Sequence, residues 1–159
     1  MRKRSTAVFA FVAVPVLALS VFAFAADSNI GTWKLNVAKS KYSPGPAPQS
    51  QTLKIEASGT NGVKYTADGV GADGKPSHWE FTAQYDGKDN PFTGNPDADM
   101  ISYKRVDANT VDAVTKLKGK VMQHTKIVVS ADGKIRTLTQ TGKDAQGKDV
   151  NNLLVYDKQ

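Results

Sequence analysis

The run Ser77–Tyr85, SHWEFTAQY, alternates without a break: Trp79, Phe81, Ala83 and Tyr85 share one face, and His78, Glu80, Thr82 and Gln84 share the other. Successive side chains of a strand point to opposite sides, so this pattern specifies a strand with one buried and one wet face. The pattern recurs in Gln51–Ala57, with Leu53, Ile55 and Ala57 set against Thr52, Lys54 and Glu56, and in Gly62–Asp68, with Val63, Tyr65 and Ala67 set against Lys64, Thr66 and Asp68. The intervening SGTNG is turn chemistry, which makes these two runs a hairpin. Further runs at Gly31–Asn36, Met100–Val106, Thr110–Leu117, Lys120–Ser130, Lys134–Thr141 and Val150–Asp157 bring the total to nine. Most of their links are short enough to join sequential neighbours.

Two stretches lack the pattern. Asn36–Gln51 opens on helix-tolerant residues and then meets Pro44, Pro46 and Pro48, so it reads as a crossing loop with one helical turn. Asp86–Asp99, DGKDNPFTGNPDAD, reads as a long loop with a functional or lid-like role. Nine strands laid flat would leave two open edges, and closing the sheet removes them while turning every apolar face inward. The expected fold is therefore all-β, a small antiparallel up-and-down barrel, with a two-sheet β-sandwich as the alternative. A membrane-spanning barrel fits poorly, because Lys54, Glu56, Lys64 and Glu80 form polar faces where such a barrel carries an apolar band.

Ahead of these strands, residues 1–25 combine Arg2, Lys3 and Arg4, an apolar run, and Ala23-Phe24-Ala25, the three parts of a secretory signal peptide. The apolar run approaches the length that spans a bilayer, so a retained anchor is the competing reading; Pro15 and the small-x-small site favour cleavage after Ala25. Residues 26–159 then form a single barrel domain, exported to the periplasm or the extracellular space, with no integral membrane association after cleavage. The chain has no cysteine, so neither a disulfide framework nor a lipid-modified cysteine is available. Of the net charge of +6, the leader supplies three positive charges. The remaining lysines are interspersed with aspartates, which excludes the basic stripe of a nucleic-acid binder.

The Gly31-Thr32-Trp33 step on the first strand resembles the calycin superfamily of lipocalins and fatty-acid-binding proteins. GTWKLNVAKSKYSPGPAP, together with PFTGNPDAD, ADGK and the final VYDKQ, is similar to small exported bacterial lipocalin-like proteins of unassigned activity. The resemblance implies a calycin-like barrel in which Trp33, introduced by Gly31, closes the floor and stacks on an arginine. Arg105 and Arg136 are the two arginines beyond the leader and the two candidates for that partner. The Pro-rich crossing stands where fatty-acid-binding proteins carry lid helices.

No catalytic constellation is visible. There is no Gly-x-Ser-x-Gly elbow, His78 and His124 stand apart, and Glu56 and Glu80 alternate outward, so the sequence does not read as an enzyme. No cofactor is implied. Asp86, Asp89, Asp97 and Asp99 crowd one stretch and are the calcium candidates, although their spacing is not that of an EF-hand and such residues are ordinary turn formers. The expected function is binding of a small apolar or amphipathic ligand in a barrel lined by Tyr65, Trp79, Phe81, Tyr103 and Met122. The alternative is a packed-core interaction or structural protein acting through surface loops, with no cavity and with Tyr42 or Phe92 exposed.

Overall fold

A computed structural model describes residues 27–159; the leader and its cleavage site lie outside the described residues. Ten strands form a closed antiparallel barrel: β1 (Gly31–Leu35), β2 (Ser50–Ala57), β3 (Gly62–Val70), β4 (Pro76–Gln84), β5 (Asp86–Thr93), β6 (Met100–Arg105), β7 (Thr110–Leu117), β8 (Lys120–Val129), β9 (Ile135–Lys143) and β10 (Asp149–Lys158). Each strand pairs with its sequence neighbours, and β10 returns to β1 through Trp33↔Lys158 and Leu35↔Tyr156. The barrel is thus up-and-down, and the sandwich alternative is excluded. The Pro-rich crossing holds a single 3₁₀ turn, Val37–Lys39, whose start is capped by the Asn36 side chain accepting from the Lys39 amide.

The tenth strand corrects the sequence reading. β5 lies inside the stretch read as a loop, and of its eight residues only Phe92 is buried. Its neighbours hold it in extended form. It pairs with β6 through Asp89↔Ser102, Asn90↔Ile101 and Pro91↔Met100, with a register shift after Asp86, but meets β4 only at Glu80↔Thr93 and Phe81↔Phe92. Pro91 has no amide to give a ladder, which suits a strand so sparsely joined on one side. Phe92, at 7% exposure, is a core residue and not an exposed loop aromatic, and Tyr42 packs half-buried against the same core.

The two ends of the barrel differ. At one end lie the entry segment before β1, the β2–β3, β6–β7 and β8–β9 turns, and the end of β10. At the other lie the Pro-rich crossing and the β3–β4, β5–β6, β7–β8 and β9–β10 turns. The outer wall carries exposed Lys54, Glu56, Lys64, Asp112 and Lys126 in mid-strand. Among the described residues no helix is long and apolar enough to cross a membrane.

A candidate binding cavity and the floor beneath it

The floor is built from the entry segment. Trp33 is fully buried at the start of β1, and its indole N–H donates to the Asn29 carbonyl oxygen at 2.9 Å. Gly31 suits this place: its φ of +138° disfavours any side chain, and a Cβ there would meet Lys158 Cε at 2.7 Å. Arg136, also at 0% exposure, comes in from β9 and donates through Nε to Asn29 Oδ1 at 3.4 Å, so one asparagine links the tryptophan and the arginine. Neither arginine stacks on Trp33, which corrects the expected pairing. The cation over the indole is Lys158 Nζ, 4.9 Å from the ring centre, because the β1–β10 register sets Lys158 opposite Trp33. Arg136 lies 5.3 Å from the Tyr65 ring centre and Arg105 3.8 Å from that of Tyr85.

A second knot closes the same end. Asp27 Oδ2 accepts from the Tyr85 hydroxyl at 2.7 Å and from Arg105 Nη2 at 2.6 Å, while Oδ1 accepts from the Asn29 amide at 3.0 Å. Burial works to raise the Asp27 pKa, but hydrogen bonds from Arg105, Tyr85 and Asn29, with the charge of Arg105, outweigh it and hold the carboxyl below its ordinary 3.8. The Tyr85 phenol is pushed up, first by burial and then by its bond to Asp27.

Above this floor the interior is open. A cavity of about 340 Å³ reaches the Pro-rich crossing, where Tyr42, Pro44 and Pro48 line it, and the β5–β6 turn, where Asn95, Asp97 and Ala98 do. Tyr65, Trp79, Phe81 and Tyr103 all line it, as expected of them. The first three form a near-parallel set: Tyr65 lies 14° from the Trp79 plane and 15° from that of Phe81, with centroids 5.5 and 4.8 Å away. Phe92 meets both Trp79 and Phe81 edge-on at 5.3 Å. Burial raises the phenol pKa of Tyr65 and Tyr103, and that of Tyr42 to about 12, so these groups stay neutral donors at physiological pH.

Met122 is the exception among the expected lining residues. Between Thr115↔Gln123 and Lys116↔Val121 the β7–β8 register shifts, which leaves Met122 as the extra residue of a bulge. It is buried but does not line the cavity, and Gln123 and Thr125 take the inward places instead.

The wall facing the aromatic set carries polar side chains among apolar ones such as Ile127, Leu138 and Leu154, and the sequence reading did not anticipate the polar ones. Gln51, Thr115, Gln123, Thr125, Gln140 and Asn152 all line the upper cavity. Register makes part of this a continuous band, with Thr125 opposite Gln140 and Gln140 opposite Asn152. Asn152 Nδ2 donates to Gln140 Oε1 at 3.3 Å, and the Tyr156 hydroxyl donates to Gln51 Oε1. Strand parity carries the missed signal: Gln51 is in phase with Leu53 and Ile55, Gln140 with Leu138 and Arg136, and Asn152 with Leu154 and Tyr156.

The calcium candidates are not brought together. Asp86 and Asp89 sit on β5, where Lys88 pairs with Asp86 at 3.3 Å and Lys116 with Asp89 at 2.6 Å. Asp97 Oδ1 accepts from the Ala145 amide and Asp99 Oδ2 from the Lys118 amide. Among the described residues no three His, Cys, Asp or Glu side chains cluster as a metal site. His78 is exposed on the outer wall, 2.7 Å from Asp68, and His124 is likewise exposed, so neither reaches the cavity.

No family model matches this chain, and no curated protein matches its sequence. Among solved structures, the chain is similar to the wild-type fluorescent protein UnaG, with a TM-score of 0.53 over 82% of this chain and 97% of that one, at 14% identity. The likeness is one of fold, a calycin-like barrel.

Proposed function

We propose that this protein is a carrier or sensor that binds a small amphipathic molecule inside its barrel. The observation that supports it most directly is the cavity of about 340 Å³, with an aromatic wall on one side and a carboxamide wall on the other. Pockets of a few hundred Å³ that combine apolar walls with a few placed polar groups are typical small-molecule sites. A protein working only through its outer loops has no use for an interior space of this size, which forgoes the packing contacts a filled core would make. The leader at residues 1–25 supports a place of work outside the cytoplasm, periplasmic or extracellular.

Native mass spectrometry on protein recovered from the exported fraction without detergent tests both parts. The expected result is an N-terminus at Ala26 and a small-molecule adduct that is lost in Trp79→Ala. An intact leader overturns the export reading. A wild-type protein that is free of adduct, and that also fails to bind any member of a panel of small aromatic amphiphiles, overturns the carrier reading.

A further inference from the structure

The cavity has a polarity of charge as well as of surface. No lysine, arginine or histidine among the described residues lines it, although the domain is basic. Two carboxylates do, and both stand at the open end: Asp97 in the β5–β6 turn and Asp144 in the β9–β10 turn. The Ala145 amide donates to Asp97 Oδ1 at 2.9 Å, which brings the two turns into contact. Asp144 Oδ1 accepts from the amides of Gln146 and Lys148. One oxygen of each carboxylate is therefore engaged by backbone, and among the described residues Oδ2 of each has no hydrogen-bond or ion-pair partner. Of the lysines at this end, Lys75, Lys116 and Lys143 are held by Asp73, Asp89 and Asp149; the side chains of Lys41, Lys118, Lys120 and Lys148 have no ion-pair partner among the described residues, but none of them lines the cavity.

At the opposite pole the charge is reversed. Arg136 lies below the cavity against Tyr65, its guanidinium permanently charged and its two Nη atoms buried without hydrogen-bond partners. The two lining carboxylates above the buried Arg136 set a field along the cavity, screened by water and salt at the half-exposed mouth and much less at the floor. An anionic headgroup at the mouth would face Asp97 and Asp144, whereas a cationic one there is attracted by both and drives no charge toward Arg136. The set of Tyr65, Trp79 and Phe81 offers stacking surface to a flat apolar body, and Trp79 and Tyr42 offer π electrons to a cation beside the mouth.

We infer that the site selects a cationic aromatic amphiphile, such as an arylalkylammonium, bound with its ring against Tyr65, Trp79 and Phe81 and its ammonium between Asp97 and Asp144. This rests on the carrier reading and adds to it the charge and orientation of the ligand. Fatty carboxylates are disfavoured by the same geometry.

The test uses three matched probes, 1-naphthylmethylammonium, 1-naphthylmethanol and 1-naphthoate, titrated into the mature protein by calorimetry with tryptophan fluorescence as a second readout. The expected order of affinity is ammonium, then alcohol, then carboxylate, with the ammonium about tenfold tighter than the alcohol at low salt and less so at high salt. The double variant Asp97→Asn, Asp144→Asn keeps both Oδ1 acceptors, so the turns stay folded. It is expected to erase the ammonium's advantage and leave the alcohol's affinity unchanged. A carboxylate that binds as tightly as the alcohol, or an ammonium preference that survives the double variant, overturns the charge assignment while leaving the carrier reading intact. Absence of binding by all three probes overturns both.

Discussion

The two ends of this barrel handle polar side chains in opposite ways. At the floor, Asp27, Tyr85, Arg105, Asn29 and Trp33 are tied into hydrogen bonds with one another, and Asn29 and Trp33 are almost wholly buried. At the mouth, Gln123, Asp97 and Asp144 are half-buried and retain free acceptors or donors that face a cavity. The floor network uses most of its capacity internally, the two Nη groups of Arg136 being the exception, and so contributes to stability, whereas the mouth keeps capacity for something that is not part of the chain. On the proposed function, fold maintenance and recognition are separated along one axis, and substitutions at the two ends should separate in the same way.

The largest effect is expected at Trp33. Trp33→Ala removes a fully buried indole and is expected to lower unfolding free energy by about 3–5 kcal/mol, read by urea denaturation. A loss below about 1 kcal/mol would mean that the floor does not carry the fold and would dissolve the contrast.

Next comes the Asp27 knot. Asp27→Ala leaves Arg105 and the Tyr85 hydroxyl without their shared acceptor and is expected to cost about 1–3 kcal/mol, since the pair is partly exposed. The pH dependence sharpens this. Because the folded Asp27 carboxyl lies below its ordinary value of 3.8, the contribution is complete above about pH 5 and is lost as pH falls through the depressed folded value. Acid titration of stability should therefore be shallower below pH 4 in Asp27→Asn than in the wild type. Equal slopes would remove Asp27 from the set of groups that make the fold acid-sensitive.

The smallest stability effect belongs to the mouth. Gln140→Leu and Asn152→Leu are expected to shift unfolding free energy by less than about 0.5 kcal/mol, or to raise it, while changing the affinity for polar aromatic probes severalfold. A large destabilisation by either would make the carboxamide wall a structural element rather than a recognition surface.

Much of this was legible because the signal is local. The alternation in Ser77–Tyr85 and Gln51–Ala57 fixes which side chains face inward, and nine such runs, most of them joined by short links, leave closure as the economical solution. Four of the five expected lining residues follow from the same parity. What was not legible depends on neighbours. β5 has no apolar alternation and is extended because β6 pairs with it, which no property of DGKDNPFT announces. Met122 left the lattice through a bulge, a one-residue event that sequence parity alone cannot reveal. Trp33 found Lys158 rather than an arginine because barrel closure sets β10 beside β1, a pairing remote in sequence. The carboxamide wall was missed because an inward glutamine looks like a break in apolar alternation, whereas its phase shows that it faces the same interior.

The floor also fixes where the chain's two ends emerge. Asp27 is tied to Arg105 and Tyr85, and the Gln159 amide donates to the Thr32 carbonyl oxygen, so both ends of the described chain leave from the side away from the cavity. A tether at either terminus, whether a retained leader, a fused domain or a linker to a sensor chip, would present the barrel with its opening pointing outward. Immobilised through its ends, this domain becomes an oriented cup, and a monolayer of it would display every cavity to the solution.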